Sequence, residues 1–308
     1  MSNHAHEHAG RDHGHDHAIP DTADGRRRVG FAALLTFSFM LVEIIGGVLS
    51  GSLALLADAA HMLTDAGSLG LAWLGFKLAE RPADAQRSFG WSRFKVLAAF
   101  VNGLALIVLA VWICVEAAGR LLNPEPVMGS LLLGVALIGL LVNIAAFFIL
   151  HGGDHEDLNM QGAIWHVAGD LLGSVAAIGA AIVILLTGWM PIDPLLSVLV
   201  AVIIAIGGYR LVRRTGHILI EGVPPGLSPN AIKSDLEAHI EDAESIDHIH
   251  AWALNETKYL LTLDAVAKAG RCPETLRLAI KKRLLEEFGV EHATVEIHSL
   301  PIRTSNEI

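Results

Sequence analysis

Residues 54–79 read ALLADAAHMLTDAGSLGLAWLGFKLA, an apolar run with Asp58, His61 and Asp65 in its first half. As an α-helix the run is long enough to cross roughly 30 Å of hydrocarbon. Ionisable side chains at such a depth are costly and mark function by default. His61 and Asp65 are four residues apart and share one helix face, and Asp58 lies on the same side, three residues before His61.

The same pair recurs in the apolar run near 160–188, where His166 and Asp170 are again four residues apart. One helical turn brings an imidazole and a carboxylate close enough to bind one ion. Two such helices side by side supply two nitrogens and two oxygens, a tetrahedral set that suits Zn²⁺ and admits Co²⁺. One pair alone fits a buried ion pair equally well, but the repeat favours a metal site of His61, Asp65, His166 and Asp170.

Composition places both runs in a membrane protein. Hydrophobic residues make up 53% of the 308 residues and charged residues 18%, and the mean hydropathy is +0.50. We therefore predict an α-helical membrane protein with a six-helix transmembrane bundle over residues 29–214. The predicted spans lie near 31–50, 54–79, 94–119, 128–150, 160–188 and 192–212.

Arginine clusters set the predicted orientation. Arg26–Arg28 precede the first span, and the loop after the second span carries Arg81, Arg87 and Arg93. Positive residues in short loops stay on the cytoplasmic side, so both termini are predicted to be cytoplasmic. The chain shows neither a signal-peptide pattern nor eukaryotic sorting signals, which favours a bacterial inner membrane.

Residues 1–28 form a low-complexity tail that we predict to be disordered. Flexible imidazoles there would bind metal weakly and raise its concentration near the membrane domain; a dispensable tail is the alternative. The histidines concerned are His4, His6, His8, His13, His15 and His17.

Residues 215–308 have the pattern of a soluble α+β domain with the order αββαβ, which predicts a ferredoxin-like cytoplasmic domain. His248, His250, Asp264 and His298 are candidates for a second metal site there, and isolated surface histidines are the alternative left open. The net charge of −10 and the absence of a basic stripe argue against a nucleic-acid partner.

Other polar residues within the predicted spans are interpreted as hydrogen-bond partners between helices. Asp58 is interpreted either as a group that orients His61 or as the first contact of the incoming metal. The interhelical partners are Glu43, Asn102, Glu116 and Asn143.

Three segments resemble the cation diffusion facilitator family, and the resemblance extends over about residues 29–300. Glu43 to Asp65 is similar to the first two helices of that family, Ser88-Phe-Gly-Trp-Ser-Arg93 to its second loop, and His248-Ile-His250-Ala-Trp252 to its first cytoplasmic strand. The His-x-x-x-Asp form in both helices resembles the zinc-transporting subgroup.

The resemblance implies a homodimer in the lipid bilayer that exchanges Zn²⁺ for protons by alternating access. It also implies that His248, Asp264 and His298 lie where the cytoplasmic domain of the family binds metal, with Asp264 at a position where histidine is common. Transport of Cd²⁺, Co²⁺ or Ni²⁺ is not separated from that of Zn²⁺ by the sequence.

The predicted function is efflux of a divalent metal cation, with no enzymatic activity. Two alternatives are an intramembrane zinc hydrolase and a membrane-anchored metal sensor or scaffold. A hydrolase needs an open coordination position and a general base, and no HExxH pattern is present. A scaffold does not need ionisable residues at mid-membrane depth.

Overall fold

The computed structural model describes residues 23–79, 82–151, 158–255 and 257–298. Side chains at 23–29, 65, 68, 69, 72, 73, 76, 79, 150, 151, 158–166 and 168 are outside this description. The chain divides into two compact units. The first comprises the chain up to Gly70 with Asn102–Leu211, and the second comprises Leu71–Val101 with the chain from Val212 onward.

Long α-helices account for most of the described part of the chain before residue 220. Among the described residues, five of them are long and apolar enough to cross a membrane, and in α2 the apolar stretch is Leu53–Thr64. The protein is therefore a helical, multi-pass membrane protein. The helices are α1 (Ala23–Ser50), α2 (Leu53–Ala79), α3 (Phe94–Leu122), α4 (Gly129–His151), α5 (Leu158–Thr187) and α6 (Ile192–Leu219).

Two of these helices are longer than the apolar runs predict. Helix α1 begins at Ala23, inside the segment 1–28 that the sequence assigns to the tail, and α6 continues to Leu219 rather than ending near residue 212. Both extensions contain arginines, which are good helix formers. The helical hydrogen-bond ladder therefore continues past the point where the apolar pattern stops.

The turn between α1 and α2 is hydrogen-bonded to α6. Gly51 has a φ of 73°, a left-handed conformation that glycine adopts without strain. Asp193, fully buried in the first turn of α6, accepts hydrogen bonds from the Ser52 hydroxyl and from the Leu53 backbone N–H at 2.7 Å. Arg120 of α3 donates to the Gly51 carbonyl at 2.6 Å. The start of α2 is thus capped from another helix.

The C-terminal part has the predicted αββαβ order. Strands β1 and β2 pair antiparallel, and β2 and β3 pair parallel. Buried side chains of both helices, among them Leu236 and Leu276, join buried strand residues such as Leu263 in one core. The two helices therefore pack on one face of the sheet. The elements are α7 (Pro229–His239), β1 (Ala243–Ala253), β2 (Tyr259–Ala267), α8 (Pro273–Phe288) and β3 (His292–His298).

Within this second unit, the loop between α2 and α3 contacts the C-terminal part. Arg93 forms an ion pair with Glu221 at 3.0 Å, and the ring of Phe89 meets His292 edge to face with centroids 6.1 Å apart. Val96 belongs to a small buried cluster with Ile218 and Ala253.

Candidate metal site

Helix α2 carries the first half of the predicted site. Asp58 and His61 are half-buried and lie one turn apart. Neighbouring apolar residues, including Ala57 and Met62, are buried among the helices, so this part of α2 lies inside the first unit. The side chain of Asp65, one turn farther on, lies outside the described residues.

Helix α5 carries the second half. Asp170 is buried, with 9% of its surface exposed, and Ser174 one turn later is buried as well. Asn143 of α4 donates a hydrogen bond to the Ser174 hydroxyl at 3.1 Å, which confirms the predicted interhelical role of Asn143. The side chain of His166 lies outside the described residues, so the structure describes two of the four predicted ligands, His61 and Asp170.

Glu43 of α1 joins these groups. Its side chain is 2% exposed, its carboxyl is hydrogen-bonded to Asp58, and its charge interacts with Asp170. A Cβ added at Gly173 of α5 would lie 4.0 Å from Oδ2 of Asp58, so this carboxylate also approaches α5. Acidic groups of α1, α2 and α5 therefore meet inside the first unit.

The interhelical role predicted for Glu43 is confirmed by its hydrogen bond to Asp58. Its membership of the acidic cluster was not predicted, although an acidic residue in an apolar run was a usable signal. Glu116 differs from the prediction, because it pairs with Arg120 of its own helix at 3.0 Å.

The arrangement can bind a cation. Carboxylates buried together repel one another unless positive charge lies among them. Carboxylate oxygens with a nearby imidazole are ligands for divalent transition metals. No other element of the first unit combines these groups among the described residues.

The C-terminal part contains a second cluster. Nδ1 of His248 lies 3.1 Å from Oδ2 of Asp264, and the rings of His248 and His250 are 4.6 Å apart. Asp264, Glu296 and His298 each offer a ligand atom within 4.8 Å of the others. The predicted residues thus lie in two overlapping groups around Asp264.

Glu296 is the member that sequence reasoning missed. The parallel register pairs Asp264 with Glu296 and Val266 with His298, so Glu296 and His298 share one face of β3. The alternation along β3 was visible in the sequence, but the pairing that brings this strand beside Asp264 was not.

An ion pair lies beside this cluster. Lys233 of α7 donates a hydrogen bond to Asp247, which raises the pKa of the Lys233 ammonium. Asp247 immediately precedes His248, whose φ of 53° is unusual for a residue with a side chain. The predicted metal-capturing histidines His4, His6, His8, His13, His15 and His17 lie outside the described residues.

Comparison with known proteins identifies relatives over nearly the whole chain. A zinc transporter ZitB of Pectobacterium atrosepticum is 43% identical over 284 residues, covering 92% of this chain and 88% of the relative. A cadmium, cobalt and zinc/H(+)-K(+) antiporter of Bacillus subtilis is 36% identical and covers 93% of this chain and 92% of its own.

A third relative, the metal cation efflux system protein CzcD of Cupriavidus metallidurans, is 36% identical and covers 95% of this chain and 91% of its own. The sequence model of the cation efflux transmembrane domain matches residues 29–220, which include α2 to α6 and α1 from residue 29 onward. The chain therefore belongs to the cation efflux family, also called the cation diffusion facilitator family, and is a membrane transporter of that family rather than an enzyme.

Proposed function

We propose that this protein exports Zn²⁺ from the bacterial cytoplasm in exchange for protons, and that His61, Asp65, His166 and Asp170 bind the transported ion. The observation that carries the proposal is that Glu43 of α1 interacts with both Asp58 of α2 and Asp170 of α5, the two helices that repeat the His-x-x-x-Asp pair. The names of the relatives support zinc, with cadmium and cobalt as further substrates.

The proposed membrane arrangement has six spans, because α2 is counted in addition to the five described helices that are long and apolar enough to cross a membrane. Its 27 residues suffice to cross the hydrocarbon. Both termini are cytoplasmic, in the inner membrane, and residues 215–308 form a ferredoxin-like cytoplasmic domain. Two chains associate as a homodimer in the lipid bilayer.

The transport step follows from competition between metal and protons. Metal binds imidazole and carboxylate only in their deprotonated forms, so loading from the cytoplasm displaces protons. When the site opens to the other side, protonation of a histidine from the more acidic compartment weakens metal binding. Alternating access then couples the export of the metal ion to the entry of protons.

The C-terminal cluster is proposed as a regulatory metal site. Asp264, Glu296 and His298 supply three ligands within mutual reach, and His248 adjoins them through Asp264. His250 contributes beside His248.

The N-terminal histidines are proposed to capture metal weakly. The alternatives of a zinc hydrolase and a metal sensor are not favoured by the family match.

The first prediction concerns Asp170. In inverted membrane vesicles with an imposed pH gradient, Asp170→Asn removes one charged ligand from the site and lowers Zn²⁺ uptake at least tenfold. Uptake of Cd²⁺, Co²⁺ and Ni²⁺, measured alongside, gives the selectivity. Glu116→Gln, which removes an acidic residue that pairs within α3, serves as the matched control and keeps uptake near the wild-type rate. Normal zinc uptake by Asp170→Asn refutes the site assignment.

A further inference from the structure

Glu43 is a buried carboxylate that the four-ligand transport site does not use. It is 2% exposed, and its Oε2 has no hydrogen-bond partner among the described residues. Burying an acidic group without full pairing costs free energy, since its ionised form is poorly solvated in a protein interior. Ionisable residues within membrane helices are costly and commonly functional, so we expect Glu43 to have a role in transport.

The neighbours of Glu43 are acidic and come from two other helices. Its carboxyl is hydrogen-bonded to Asp58, and the charge of Asp170 acts on it as well. Asp58 also approaches α5. Because Gly173 of α5 has no side chain, Oδ2 of Asp58 lies close to the backbone of that helix. Three carboxyl groups from three different helices, Glu43, Asp58 and Asp170, therefore lie near one another.

The chemistry of this group differs from that of the four-ligand site. His61 and His166 give the transport site two nitrogen ligands, which favour zinc. Glu43, Asp58 and Asp170 offer oxygen only, a set that suits hard divalent cations such as Mn²⁺ and holds Zn²⁺ less tightly than a set that includes imidazole nitrogens. Asp170 is common to both sets, so an ion could move from one to the other without leaving protein ligands.

The order of residues along the helices gives the side on which this group lies. Asp58 precedes His61 on α2 and is therefore closer to the turn between α1 and α2. Gly173 follows Asp170 on α5 and lies on the same side, toward the end of that helix. With both termini in the cytoplasm, as proposed above, the α1–α2 turn faces the opposite compartment.

We propose that Glu43 and Asp58, with Asp170 shared, form a second cation position on the release side of the transport site. This inference rests on the proposed function and reassigns Asp58 from the incoming to the outgoing path. The metal passes from the mixed nitrogen and oxygen site to the weaker oxygen-only position before it leaves the protein.

The test is a count of bound Mn²⁺ on purified full-length protein, because free Mn²⁺ gives a six-line electron paramagnetic resonance spectrum that is lost on binding. The background carries His61→Ala and His166→Ala, which disable the nitrogen ligands of the transport site. Glu43→Gln, which keeps the side-chain size, is expected to bind one Mn²⁺ per chain fewer than this background.

Asp58→Asn approaches the same position from another helix and is expected to lose the same single ion, as is the double variant. If Glu43→Gln does not yield monodisperse protein, the Mn²⁺ count of Asp58→Asn alone decides the test. Glu116→Gln is the control and binds as many ions as the background. Equal counts in all variants, or two ions lost in the double variant, overturn the proposal.

Transport separates this proposal from the one on which it rests. With His61 and His166 intact, Glu43→Gln is expected to leave the KM for zinc within about twofold and to lower the maximal rate at least fivefold. A rise in KM with an unchanged maximal rate contradicts a release-side role. Normal transport by Asp170→Asn refutes the four-ligand site, whatever the Mn²⁺ counts show.

Discussion

At the scale of single residues, Glu296 decides the composition of the C-terminal cluster. Asp264 stands where the family resemblance leads one to expect a histidine, and its Oδ2 already contacts His248. Glu296 adds a second carboxylate and lies 3.5 Å from Nε2 of His298. The cluster is therefore richer in oxygen than the sequence reading predicts, and its preference for soft metals should be reduced accordingly.

The residue-scale prediction is that Glu296→Gln weakens zinc binding by the C-terminal segment 212–308 roughly 10- to 100-fold, the range found when a supporting carboxylate is lost from a metal site. Competition with a chromophoric chelator measures the affinity. Glu291→Gln, an exposed acidic residue just before β3, provides the matched control. Unchanged affinity in Glu296→Gln would remove this residue from the site.

At the scale of elements, the start of α2 depends on α6. Asp193 accepts from the Ser52 hydroxyl and from the Leu53 backbone N–H, so one buried carboxylate satisfies groups that the end of a helix leaves open. The same helix carries Asp58 and His61. Asp193 therefore links α6 to the start of a helix that carries residues of the proposed transport site.

The element-scale prediction is that Asp193→Ala destabilises the protein by about 1–2 kcal/mol, the usual loss for a helix cap. Thermal unfolding of the detergent-solubilised protein should then shift downward by roughly 2–8 °C. Ser38→Ala, which removes an exposed hydroxyl bonded only to its own helix, should not shift it. Equal midpoints for Asp193→Ala and wild type would contradict the capping role.

At the scale of the whole molecule, each unit has its own means of stability. The first unit combines helices whose outward side chains are apolar, such as Leu122 and Leu186 at 82% and 80% exposure, a pattern that suits contact with lipid. The C-terminal part relies on a closed apolar core and on ion pairs between its helices. Arg283 of α8 donates to Asp235 of α7 at 2.6 and 2.9 Å.

The prediction at this scale concerns pH. The hydrogen bonds from Arg283 hold the pKa of Asp235 below its ordinary value. Since the folded state lowers this pKa, the stabilisation is present above about pH 4, where the unfolded carboxyl is also ionised, and is lost as the pH falls through the lower folded value. Arg283→Gln should therefore lower the urea midpoint of the segment 212–308 at pH 7.

The difference between Arg283→Gln and wild type should shrink as the pH falls through the lowered folded pKa of Asp235, because below that pKa both proteins carry a protonated Asp235. Lys282→Gln, whose ammonium lies 3.8 Å from Glu286 on an exposed surface, is the control. A difference that stays constant down to pH 2 would show that Arg283 stabilises the domain by packing and not through Asp235.

The sequence by itself determined much of this protein, because hydrophobic periodicity and burial cost act locally. The long apolar runs predicted the helices to within a few residues, except where arginine-rich flanks continued α1 and α6. In the structure Ser228 caps the start of α7 and Gly289 ends α8, and both are residue types that favour these positions locally. The candidate ligands in α2 and α5 stood out because ionisable groups are expensive within a membrane.

Only the tertiary structure decided which of these groups meet. Glu43 reaches Asp58 because α1 packs beside α2, and Glu296 reaches Asp264 because β3 pairs parallel to β2 in a particular register. Asp193 reaches Ser52 across 141 residues of sequence. Contacts of this kind depend on the packing of whole elements, and no local pattern of residues encodes them.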